Sequence, residues 1–178
     1  MKGVVFSEFI ELVEELFSLD LLDEIIMECD LPSGGSYTSV GTYDHNEIVQ
    51  LVTKLSEKTG TDVSVLLKTF GKHLSKKFSK SFPGFFAEGG DVFGFMKRLD
   101  NHIHVEVKKL YPDADLPKFD YDESNEGVLM MEYQSERGFA DLAEGLIDGV
   151  IEFYGENMGV DREDISGSKH VKFFLKKQ

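Results

Sequence analysis

The chain has 178 residues, enough for one domain or two joined halves that buries roughly 70% of its unfolded surface without disulfide staples. It carries 19 Lys+Arg against 33 Asp+Glu, and the formal net charge of −14 argues against nucleic-acid phosphates or an anionic membrane as the main partner. The single cysteine, Cys29, excludes an internal disulfide framework and every zinc site built on paired cysteines, and no run of about 18 apolar residues marks a transmembrane helix.

The N-terminal stretch MKGVVFSEFIELVEELF begins with a lysine and apolar residues, but acidic residues interrupt it at once, so it does not read as a signal peptide. A cytoplasmic location is the default. Val5, Phe6, Phe9, Ile10, Leu12, Val13, Leu16 and Phe17 follow helical spacing, with Glu8, Glu11, Glu14 and Glu15 opposite. Leu19 to Met27 reads as a second helix. Leu31 to Tyr43 collects Pro, Gly and Ser and reads as a loop. Asp44 is placed to cap a third helix that stops at Gly60, and Asp62 a fourth carrying Val63, Leu66, Leu67, Phe70, Leu74 and Phe78. Pro83, Gly84, Gly89 and Gly90 break the chain.

From Asp91 a further helix runs to Pro112, with Val92, Phe95, Met96, Leu99, Ile103, Val107 and Leu110 at steps of three and four. Lys118–Ser124 and Gly127–Arg137 read as two strands joined by a polar turn. Phe139 to Tyr154 is the clearest amphipathic helix, and His170 to Lys176 reads as a strand. Helices gather in the first 110 residues and strands in the remainder, so the expected class is α+β.

Most chemical motifs are missing: there is no P-loop, HExxH, GxSxG or CxxCH. Cys29 has no evident base partner and reads as a small buried core residue. Two histidines fall close together in DNHIHVEV. On a regular helix His102 and His104 point about 160° apart, so at most one is an inward ligand. Periodicity does not say which, since each flanks the apolar stripe; the plainer reading is two solvated polar positions. In YQSER, a strand would bring Tyr133, Ser135 and Arg137 to one face. A phenol, a hydroxyl and a guanidinium in a row suit a carboxylate or phosphate; the plainer reading is a polar strand face toward water.

Together these features resemble the H-NOX family, the haem nitric oxide/oxygen-binding (HNOB) domains. The resemblance takes in the MKG start, the HIHVEV helix, Pro117 in LPKF, MEYQSER and GLIDG at Gly145–Gly149, and covers essentially the whole chain. It implies a single H-NOX domain: a distal helical subdomain over about 1–62 and a haem-proximal α/β subdomain of antiparallel sheet plus helices over about 63–178, with haem buried between them. It implies non-covalently bound haem b (iron protoporphyrin IX), with His104 as the proximal ligand to iron. Tyr133, Ser135 and Arg137 would hold the propionates, and Pro117 would press on the macrocycle and distort it.

The distal side implied by the resemblance holds Val5, Phe9, Leu74, Phe78, Leu142 and Leu146. Oxygen-binding members carry a tyrosine five residues after the ladder arginine, where this chain has Leu142. Bound oxygen gains from a hydrogen-bond donor and nitric oxide does not need one, so NO, with CO, is the expected ligand. Phe9 and Phe78 become candidates for haem contact; Phe6, Phe70 and Phe95 read as core.

The expected function is a gas sensor and not an enzyme: NO releases His104, the two subdomains move, and a separate partner reads the movement. The chain ends at Gln178 with no output module, so the partner is expected to be a histidine kinase in two-component signalling, with a cyclic-di-GMP enzyme second. The protein is expected to be a monomer. The alternatives are a haem-free pocket protein holding an apolar carboxylate through Arg137, or a haem enzyme, for which the apolar distal residues offer no base.

Overall fold

The computed structural model describes residues 1–178. Eight α-helices and one π-turn combine with a four-stranded antiparallel sheet, as the α+β reading expects. The chain divides into two compact units, Met1–Phe70 and Gly71–Gln178, the division falling within a long helix. No helix is long and apolar enough to cross a membrane.

The first unit is built on α1 (Gly3–Leu16), α2 (Leu19–Glu28) and α3 (His45–Thr59), with the opening turns of α4 (Val63–Ser81). The caps follow the sequence. Ser18 accepts from the backbone N–H of Leu21 and Asp44 from that of Asn46, each satisfying a donor left over at a helix start. Gly60 ends α3 in the left-handed region at φ 69°. Phe6, Phe9, Ile25, Leu51 and Phe70 fill the core of this unit, with Phe9 and Phe70 edge to face at 5.2 Å.

The loop between α2 and α3 is held from both ends. The Gly3 N–H donates to the Gly41 carbonyl at 2.8 Å, and a side chain at Gly3 would collide with Thr38. Deeper in, the carboxylate of Glu47, only 3% exposed, accepts from the Ser33 hydroxyl and from Tyr37 Oη at 3.1 Å, while the Tyr37 ring stacks on Phe6 at 4.4 Å. A buried carboxylate needs such donors. Cys29, read as core, is half-buried, and burial raises its thiol pKa.

The second unit centres on the sheet, whose strands are β1 (Lys118–Asp122), β2 (Val128–Gln134), β3 (Met158–Asp164) and β4 (His170–Lys177) in the order β1-β2-β4-β3. Alternation along β2 and β4 puts Leu129, Met131, Tyr133, Val171, Phe173 and Leu175 on one buried face. Helices α6 (Val92–Lys97) and α8 (Ala140–Tyr154) contribute Val92, Phe95, Met96, Ile147 and Val150 to the same core. The rest of α4 and α8 meet at small residues: a Cβ on Gly149 would lie 2.5 Å from the Ser75 Cβ, and one on Gly71 would lie 2.3 Å from the Leu142 carbonyl oxygen.

Three elements depart from the sequence reading. Pro83–Gly89, read as a break, is the short helix α5, with Pro83 in its first turn where a missing N–H costs nothing. Met158–Asp164 is a strand that the sequence reading did not find. The helix expected from Asp91 to Pro112 is three pieces: α6, a π-turn over Leu99–Ile103, and α7 (His104–Leu110).

Candidate functional site

The π-turn sorts the two histidines. The N–H of His104 reaches back five residues to the Leu99 carbonyl, widening the turn just before the imidazole. The His102 side chain stays 40% exposed, 3.4 Å from the Glu88 carboxylate and edge-on to the Phe85 ring. The His104 side chain is 17% exposed, with its ring 6.1 Å from that of Phe119 on β1.

His104 is held by Asp100. Its Nδ1 lies 2.7 Å from Asp100 Oδ1, and Asp100 Oδ2 accepts from the backbone N–H of Phe119, also at 2.7 Å. A carboxylate only accepts, so Nδ1 carries the proton and Nε2 keeps a free lone pair. Burial lowers the His104 pKa, against the opposing pull of Asp100, so the imidazole stays neutral at neutral pH. A neutral imidazole with one nitrogen anchored and the other open is the form that ligates a metal. The sequence reading missed Asp100. Its spacing of four from His104 within one helical segment was the signal that could have found it.

The Tyr133/Ser135/Arg137 group is close-knit, but it is not a strand ladder as expected. β2 ends at Gln134, and the chain then turns through Ser135 to Gly138, where φ is 69°. Tyr133 Oη is buried and accepts from the Phe139 N–H at 3.1 Å. Ser135 Oγ bonds the Tyr133 side chain and accepts from the Arg137 N–H at 3.3 Å. The Arg137 guanidinium, largely buried, stands 3.3 Å from the Asp115 carboxylate. Pro117 is half-buried, immediately before β1 and two residues from Phe119.

The remaining named positions are apolar. Phe9, Leu74 and Leu142 are buried, while Val5, Phe78 and Leu146 are half-buried. Phe6, Phe70 and Phe95 are core residues at 5% exposure or less, as read.

These residues fit a haem. The donor set offers one neutral imidazole with its second nitrogen fixed, and a guanidinium grouped with two hydroxyls that already faces a carboxylate, the chemistry of a propionate.

Comparison with known proteins agrees. The family model described as HNOB, Haem-NO-binding, matches residues 2–162. The crystal structure of the Fe(II) unliganded H-NOX protein from K. algicida is 38% identical with a TM-score of 0.96, covering 100% of this chain and 97% of that one. The solution structure of the IWP-051-bound H-NOX from Shewanella woodyi in the Fe(II)CO state is 41% identical with a TM-score of 0.86, over 100% and 95% of the two chains. The Fe(II)NO H-NOX from S. oneidensis, 20% identical with a TM-score of 0.92 over 100% and 99%, shares the fold. No curated protein matches the chain. With a family model spanning nearly all its length and two such relatives, the chain belongs to the H-NOX family of haem-based gas-sensor domains.

Proposed function

We propose that this protein is an NO sensor that binds haem b non-covalently and signals to a separate protein. The observation that carries the reading is the His104 ring, anchored at Nδ1 with Nε2 open. Haem, when bound, supplies a ferrous iron with one open position for NO or CO. His104 Nε2 is the protein ligand to that iron. Arg137, with Tyr133 and Ser135, holds the propionates through charge-assisted hydrogen bonds. Pro117, stiff in its own ring, would press on the macrocycle when haem is bound, as the family resemblance implies.

The six positions that the resemblance assigns to the distal side, Val5, Phe9, Leu74, Phe78, Leu142 and Leu146, carry no hydrogen-bond donor in their side chains. NO therefore binds, and O₂, which relies on a donor, does not bind stably. Were His104 released, α7 could relax and a partner could read that change; NO must bind the two conformations with unequal affinity for this to signal. A histidine kinase is the first candidate partner and a cyclic-di-GMP enzyme the second, with the sensor a cytoplasmic monomer that has no catalytic role of its own.

The test is optical. Protein reconstituted with haemin and reduced should show a sharp Soret band that is altered in His104→Gly. It should give no stable new spectrum in air, and with NO a band at the position seen for haem lacking a histidine ligand. A wild-type spectrum in His104→Gly overturns the ligand assignment, and a stable oxygen spectrum overturns the choice of gas.

A further inference from the structure

We propose that Asp100 is the positioning residue of this site. Its carboxylate sets the orientation of the His104 ring and the strength of the bond that ring makes to iron. The inference rests on the reading of His104 as the iron ligand. It adds a residue outside the motifs that pointed to the family.

The argument is a count of donors. Asp100 faces two N–H groups, His104 Nδ1 through Oδ1 and the Phe119 backbone through Oδ2, each at 2.7 Å. Each oxygen takes one. An asparagine keeps one acceptor and turns its NH₂ toward the other N–H, so one of the two contacts is lost. A glutamate adds a methylene to a fixed span. The geometry therefore calls for aspartate at this position.

The two anchors do different things. The Phe119 N–H belongs to β1 and holds the carboxylate in place. Asp100 lies within the π-turn and His104 directly follows it, so the ring is gripped from its own segment and, through Phe119, from the sheet at once. An anionic acceptor on Nδ1–H makes Nε2 a better electron donor, which strengthens its bond to a metal. Partners of this kind commonly alter metal affinity about 10–100-fold. The carboxylate would thereby also set how firmly His104 holds an iron bound at Nε2.

The experiment is resonance Raman of the reduced, haem-loaded full chain, following the iron–histidine stretching band, with haem loss to an acceptor protein measured alongside. In Asp100→Asn the band should move to lower wavenumber and haem should leave roughly 10–100-fold faster. A band at the wild-type position overturns the proposal whatever the rate of haem loss, because a merely structural role would speed loss without weakening the bond. Should Asp100→Asn fail to fold, His104→Gly carries the test with Asp100 intact. Added imidazole, which has an N–H for the carboxylate, should bind about tenfold or more tightly than 1-methylimidazole, which has none. Equal binding overturns the proposal. Failure of the underlying reading looks different: His104→Gly would then keep the wild-type ferrous spectrum and respond to neither imidazole.

Discussion

Arg137 and Asp115 form an ion pair, with the guanidinium Nη2 3.3 Å from the carboxylate Oδ2. The pair is lopsided. The arginine side chain is 19% exposed and the aspartate 69%. Asp115 can thus swing into water at little cost, while Arg137 stays in its turn beside Tyr133 and Ser135.

This asymmetry predicts opposite results from its two partners. An exposed ion pair contributes about 0–1 kcal/mol, so Asp115→Ala should shift the thermal midpoint little and leave haem retention equal or better. Arg137→Ala should weaken haem binding about 10–100-fold, the equivalent of a charge-assisted hydrogen bond of about 1.5–3 kcal/mol. Arg137→Lys should fall between, since it keeps the charge and loses the planar fork. Haem transfer to an acceptor protein measures all three.

The crossing of α4 and α8 supplies a stability prediction. Ser75 Oγ is buried with no hydrogen-bond partner, against Gly149. Removing an unsatisfied hydroxyl should be neutral or stabilise by up to about 1 kcal/mol, so Ser75→Ala should hold or raise the urea midpoint. Gly149→Ala should cost about 1–3 kcal/mol, because the added methyl meets the Ser75 Cβ and the Lys72 backbone rather than a flexible chain end.

Tyr37 sets an alkaline limit on the first unit. Burial, reinforced by the nearby Glu47 carboxylate and opposed by Ser33, pushes its pKa up to about 12. The unfolded chain ionises this phenol near its usual value of about 10. The unfolded state therefore loses the proton first as pH rises. The stabilisation is complete below about pH 10 and is lost progressively from there to about 12. Tyr37→Phe, with nothing to ionise, should show a shallower fall in thermal midpoint across that window.

Leu142 decides the gas in the proposed reading. Leu142→Tyr should bring a phenol to the distal side and slow oxygen loss enough for a stable spectrum in air, while NO binding persists. An air spectrum identical to that of the wild type would mean that the tyrosine does not reach the bound oxygen, and that Leu142 is not the position that selects the gas.

Most of the architecture was legible from periodicity and caps. The helix read from Phe139 to Tyr154 is α8 within a residue, Asp44 and Gly60 bound α3 as read, β1 and β2 lie within the stretches read as strands, and β4 runs one residue past its own. The histidine question was not legible, for a geometric reason. From Met96 in the core to His104 is eight residues, about 80° beyond two full turns of a regular helix, and His102 stands about 120° short of that same face. A π-turn uses more residues per revolution. It brings His104 back toward the face of Met96 and carries His102 further away, so a helical wheel drawn at 3.6 residues per turn misplaces both. β3 was missed because its inward positions include Arg162, whose guanidinium is bonded by Asp141 and Glu144 of α8. A polar residue satisfied by a distant helix looks solvated in sequence. The Tyr133–Arg137 group was legible in composition but not in shape, since the extended run ends at Gln134 and Ser135 to Gly138 form a turn.

The open sheet has one more consequence. Its outer strands, β1 and β3, present backbone N–H and C=O groups, apart from the Phe119 N–H held by Asp100, that a strand from another molecule could pair with, the usual route to aggregation. Both carry more acid than base: Asp120 and Asp122 against Lys118 on β1, and Asp161, Glu163 and Asp164 against Arg162 on β3, where Asp161 pairs with Lys176 and Asp164 with Arg162. Like charges facing each other across a would-be intermolecular ladder repel. Part of the −14 net charge thus sits along the open edges of the sheet, where it disfavours pairing with a like-charged strand.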